Sequence, residues 1–141
     1  MIGRGGACSL AIVLVAWACS SNARDNAVRL AVWNYQLSSY GDSIGGRPAC
    51  IGLVATLDSP KKEDPSPDVI AELNRRRVRV LSASTCTARA SSVSFFLGPV
   101  AYNGLSEAIV EGTGLEGDYR YHLVLRDAQW RVQDGAMTSI Y

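Results

Sequence analysis

The stretch Tyr119-Arg-Tyr-His-Leu-Val-Leu-Arg-Asp-Ala-Gln-Trp-Arg-Val-Gln133 constrains the fold more than any other, because two alternating runs flank a short polar break. Side chains along a strand point to opposite faces with period two, so Tyr119, Tyr121, Leu123 and Leu125 share one face and Trp130 and Val132 share another. A turn at Asp127 and Ala128 sets Leu125 opposite Trp130 and Leu123 opposite Val132, and the two apolar faces coincide. A slip of one residue would turn one strand's whole apolar set toward solvent, so pattern and register together specify a β-hairpin. In that register His122 faces Gln133 and points away from the apolar side, with Arg120, Val124 and Arg126.

A chain of 141 residues, 48% hydrophobic and 19% charged, suits one globular domain. The formal charge of +1 lacks the basic excess that non-specific phosphate neutralisation demands, which argues against nucleic acid as a partner. No Walker loop, G-x-S-x-G or H-E-x-x-H occurs. The lone histidine, His122, has no nucleophile suggested beside it, and Glu107 and Glu111 read as the polar face of a short strand rather than as an acid and base pair. No catalytic residue and no cofactor is assigned. The cysteines at 8, 19, 50 and 86 fall in no metal-ligand spacing.

The start of the chain reads as an address. One positive charge at Arg4 precedes Ala7–Ala18, twelve uncharged and mostly apolar residues, which is the layout of a signal peptide and too short to span a bilayer by itself. Ala16-Trp-Ala-Cys19 resembles the lipobox of bacterial lipoproteins, although Ala16 and Trp17 stand where that motif usually carries leucine and a small residue. The resemblance implies that Cys19 becomes the lipid-modified first residue, in an exported protein held in the outer membrane or periplasm by its lipid. An ordinary signal peptidase cut, after Ala18 or after Ala23, would instead release a soluble secreted domain. The expected organisation is a signal peptide over 1–18, a tether over 19–24 and one domain over 25–141. Removal of the signal takes only Arg4 among the charged residues, leaving thirteen basic against thirteen acidic.

Export leaves Cys50 and Cys86 as the pair to be joined in an oxidising compartment. Asp25 and the spacing of Val28, Ala31, Val32 and Tyr35 predict a helix over 26–37, and 38–48 reads as a loop from its glycine, serine and proline. Residues 49–57 read as a buried strand. Ser66 and Pro67 mark the N-cap and first position of a short helix. Arg75, Arg76 and Arg77, with Arg79, either complement that helix's C-terminal end or form a patch for an anionic or protein partner. The rest reads as a meander, with 107–111 and 137–141 as short strands. The predicted fold is α+β, one or two helices packed on one face of a curved antiparallel sheet that ends in a C-terminal β-meander.

The final hairpin resembles those of nuclear-transport-factor-like and cystatin-like domains. That resemblance implies either an interaction module or a small pocketed enzyme or ligand-binding domain. The function expected is that of an exported, lipid-anchored bacterial envelope protein acting as a small binding module toward an envelope partner.

Overall fold

The computed structural model describes residues 13–76, 78–86 and 92–141, with side chains from residue 22 onward. A long helix α1 (Val13–Ile44) is followed by β1 (Ala49–Leu53), a short helix α2 (Pro67–Leu73), β2 (Val80–Ser82) and one 3-10 turn (Ala83–Thr85). Then come β3 (Val93–Tyr102), β4 (Glu107–Thr113), β5 (Gly117–Arg126) and β6 (Gln129–Ile140). The six strands form one sheet in the order β2-β1-β3-β4-β5-β6. β1 is parallel to both β2 and β3, and every later pairing is antiparallel. The fold is α+β with a C-terminal β-meander.

The hairpin has the register that its apolar pattern requires, with Leu125 facing Trp130 and Leu123 facing Val132. Asp127 and Ala128 both take positive φ, 52° and 63°, as a two-residue hairpin loop matched to strand twist demands. One position differs. The register shifts between His122 and Leu123, so His122 faces Asp134 and not Gln133. The shift belongs to a bulge, in which one strand carries an extra residue and twists more strongly. β6 then continues to Ile140, with a second register shift between Asp118 and Tyr119, and residues 137–141 are largely its continuation rather than a separate strand. At Gly135 an added Cβ would meet the Tyr121 ring at 3.0 Å, so that glycine admits close packing of the ring against β6.

α1 extends the predicted helix at both ends. It takes in 19–24, read as a tether, and 38–44, read as a loop. Packing overrides composition at the C-terminal end, because Tyr40 stacks on Phe95 with centroids 5.7 Å apart and Ile44 is fully buried. The buried stripe is Val28, Val32, Trp33, Gln36, Leu37 and Ile44, whereas Tyr35 lies at the rim, 43% exposed. These side chains meet Ile51, Phe95, Leu97, Val110, Tyr121 and Leu123 from the sheet in one core. Trp33 Nε1 donates to the Phe95 carbonyl at 3.1 Å, which ties helix to sheet. Gln36, fully buried, donates to the Thr113 carbonyl at 2.9 Å and to the Tyr121 hydroxyl at 3.0 Å.

β1 is shorter than the 49–57 run, yet nearly all of it is buried because both its faces are covered. α1 lies over one face. Over the other, the 3-10 turn brings Ala83 so close that a Cβ on Gly52 would stand 2.9 Å from it. Leu53 and Glu63 exchange two backbone hydrogen bonds of 2.8 Å, which draws the 59–64 segment onto the same end. α2 begins as its sequence indicates, with Ser66 as N-cap accepting from the Val69 amide and Pro67 in the first turn.

Candidate functional site

Cys50 and Cys86 form a disulfide that ties β1 to the exit from the 3-10 turn, across 36 positions of sequence. Cys19 falls within the first turns of α1. Three of the four arginines are described, and each has its own local contacts. Arg75 pairs with Glu72 at 3.5 Å, both exposed, while Arg76 reaches Asn34 at 2.6 Å and Ser38 at 3.2 Å and so fastens the end of α2 to α1. Arg79 is exposed, with its carbonyl accepting from the Ala49 amide at 2.8 Å. Arg77 lies outside the described residues. The side chains of Arg75 and Arg76 thus each have a partner within α2 or on α1.

The middle of the space between α1 and the sheet is filled by side chains, and concavities open at its edges and on the opposite face of the sheet. One faces away from α1, where the meander curves past the 55–58 segment, and measures about 630 Å³. Its floor is Pro99, Ala101 and Ile109, and its far wall is the Glu111–Arg120 pair at 3.0 Å. Ile109 is 39% exposed there. That volume falls within the range of small-ligand sites, but the hollow is shallow and open. Next to it on the same face stands His122, between Glu107 at 3.9 Å and Asp134 at 3.8 Å. Both separations exceed hydrogen-bond reach, so the three residues are a loose surface cluster rather than a relay. Among the described residues no group of three or more His, Cys, Asp or Glu side chains converges as metal ligands do.

A second cavity, about 230 Å³, opens at the C-terminal end of β1, where the strand stops and the chain turns away. Leu53, Val54, Ala55, Gly98 and Pro99 form its walls, Ser59, Lys61 and Glu63 its loop side, and Arg29 enters from α1. It shares Ala55, Gly98 and Pro99 with the wider hollow, so the two adjoin. The register of β3 against β4 shifts between Leu97 and Val100, and that irregularity at Gly98-Pro99 opens room beside β1. Sequence reading gave no sign of this site, because Arg29 looks like any polar residue between two apolar positions of a helix. Only the strand ending below it makes the position special.

The third concavity, about 650 Å³, lies at the start of the described side chains. Ala23, Arg24 and Asp25 of α1 line it with Tyr102, Leu105, Leu125 and Trp130. The Arg24 guanidinium carbon sits 3.6 Å from the Tyr102 ring centroid and 5.8 Å from that of Trp130, and it donates to the Gly104 carbonyl at 2.8 Å. Tyr102 donates to Asp25 at 2.5 Å, and burial together with this bond raises its pKa well above the ordinary tyrosine value. Leu105 is 82% exposed. Trp130, half-buried against Tyr102, is thus a rim residue and not the core residue that its alternation suggested.

Taken together, fold and surface define a small α+β domain, covalently tied in its parallel half, that presents open hollows among its described residues. Comparison with family models, with curated proteins and with solved structures finds no match to this chain.

Proposed function

We propose that this is an exported bacterial envelope protein, held to a membrane by a lipid on Cys19, whose domain serves as a small binding module toward a partner in the envelope. The observation that best supports anchoring is the chemistry at the end of the domain nearest Cys19. Ala23 follows Cys19 by four residues, about 6 Å along a helix. At that end lie Leu105, Trp130, Tyr102 and Arg24, with both an apolar body and a polar or charged tip among them. Tryptophan, tyrosine and arginine are the side chains that tolerate a membrane interface, since each buries carbon while keeping a polar end wet. An anchored domain would rest on this end and turn the wide hollow beside Ile109 to its surroundings.

The test is intact-mass analysis of the protein from fractionated cells, with and without reductant and alkylation. The expected species is membrane-bound, begins at Cys19 with acyl mass, and gains two protons on reduction. A soluble species beginning at Cys19 or Arg24 would overturn the anchor and leave a secreted domain.

A further inference from the structure

We infer that the cavity at the end of β1 is a binding site for the oxyanion group of a small organic acid or phosphate, with the part-buried Arg29 as its cation. The assignment rests on the reading of this domain as a binding module and is independent of the anchor.

Arg29 stands apart from the other described arginines of known contacts. Arg24 donates to a carbonyl and packs over two rings, Arg47 donates to the Ile44 and Ser43 carbonyls, Arg76 bonds two side chains, and Arg120 pairs with Glu111. Arg29 has its Nε buried with no acceptor, while its side chain lines a cavity. A guanidinium stays charged at any pH a protein survives, and a charged donor left without an acceptor out of water is costly. An acceptor supplied from outside removes that cost, and a planar fork of donors suits a carboxylate or phosphate.

The cavity is already shaped. The Val54 amide donates to Leu97 at 2.9 Å, the two Leu53–Glu63 backbone bonds close the rim, and Lys62 Nζ holds the Ser59 carbonyl at 2.7 Å. Lys61, exposed at the mouth, adds a second positive charge, and Glu63 shares the mouth with it. Opposite the charged groups, Leu53, Val54 and Pro99 offer carbon surface. A volume of about 230 Å³ therefore fits an oxyanion with a short apolar body and excludes a nucleotide-sized ligand.

The full chain in detergent micelles, labelled with nitrogen-15, is titrated with phosphate, acetate and butyrate at constant ionic strength made up with chloride. The Arg29 Nε–H resonance, identified by its disappearance in Arg29→Lys, is followed together with the Val54 and Ala55 amides. The expected result is a saturable shift of all three, with Arg29→Gln weakening the apparent affinity by about tenfold or more. Butyrate binding more tightly than acetate identifies a carboxylate with an apolar body, and phosphate alone saturating identifies a phosphate site. Arg29→Met keeps the stem without the charge, so it should melt no lower than wild type while losing the saturable shift. Linear, unsaturating movement of the Arg29 resonance with all three anions overturns the site. Saturation at Ile109 and Arg120 without Arg29 would overturn it too, while keeping the module reading and moving its ligand to the neighbouring hollow.

Discussion

The two halves of the sheet solve the same problem differently. In the parallel half, β2-β1-β3, the central strand is covered by α1 on one face and by the 3-10 turn and the 59–64 segment on the other, with the disulfide fastening that outer cover. In the antiparallel half, β4-β5-β6, α1 covers one face and the opposite face is open, carrying Glu107, Glu111, Arg120 and His122. A strand buried on both sides needs an external tie for the loops that cover it. A strand buried on one side needs only alternation. The comparison teaches where binding surface can exist, since two adjoining hollows lie where the outer cover stops, at the end of β1 and along the exposed face of the meander.

The contrast is broken most severely by removing what both halves share. Trp33→Ala should cost about 3 to 5 kcal/mol in a denaturant melt, because it empties a fully buried site and orphans the Phe95 carbonyl. A loss under about 1 kcal/mol would refute the shared core. Replacing Cys50 and Cys86 together by alanine should cost about 3 to 4 kcal/mol on the chain-entropy model for a 36-residue loop. Hydrogen exchange in that variant should rise in β1 and β2 well before β5 and β6; uniform acceleration would mean that the halves are not separable.

Smaller effects sharpen the picture of the open half. Trp130→Ala should cost about 1 to 2 kcal/mol, less than Trp33→Ala, since the ring is half-buried. Raising the pH titrates the core of this half from within. Burial pushes the Tyr121 hydroxyl up to about 12. The folded state therefore holds this proton more tightly than the unfolded chain, whose tyrosine titrates near 10. The stabilisation it gives is complete below about pH 10 and is lost as pH climbs toward 12. Tyr121→Phe should flatten the fall of stability over that window, and an unchanged slope would show that Tyr121 does not carry it. Smallest, and opposite in sign, is Ala128→Gly, which should add about 0.5 to 1 kcal/mol by removing a side chain from φ 63°. A melt unchanged or lowered would argue against the two-residue turn.

What the sequence made legible follows this division. The hairpin could be read because its two strands each alternate and their pairing is local, and α2 could be read because Ser66 and Pro67 act on the next turn of chain. Cysteine counting paired Cys50 with Cys86. The C-terminal part of α1 could not be read, because Tyr40 and Ile44 find partners on β3 and elsewhere in the core that no local signal announces. His122 was placed opposite the wrong residue because a bulge changes register without changing composition. Trp130 was taken for core because alternation gives the face of a sheet but not the distance to its rim. The Arg29 cavity was invisible for a related reason, since it exists only where a helix passes over the end of a strand distant in sequence.

The strand order also sets a timetable. From β3 onward each strand lies beside the one made just before it, so β4, β5 and β6 can be laid down in the order of synthesis without threading back. Only β3 must travel, past β2 to the far flank of β1. That docking, of longer span than the likewise parallel β1–β2 pairing, precedes all the local ones. Because closing a long loop is slower than closing hairpins, it is the natural pacemaker for folding. A Cys50–Cys86 bond formed as soon as residue 86 is made would hold β1 and its outer cover in place as a growing edge, from which the rest of the sheet extends one strand at a time.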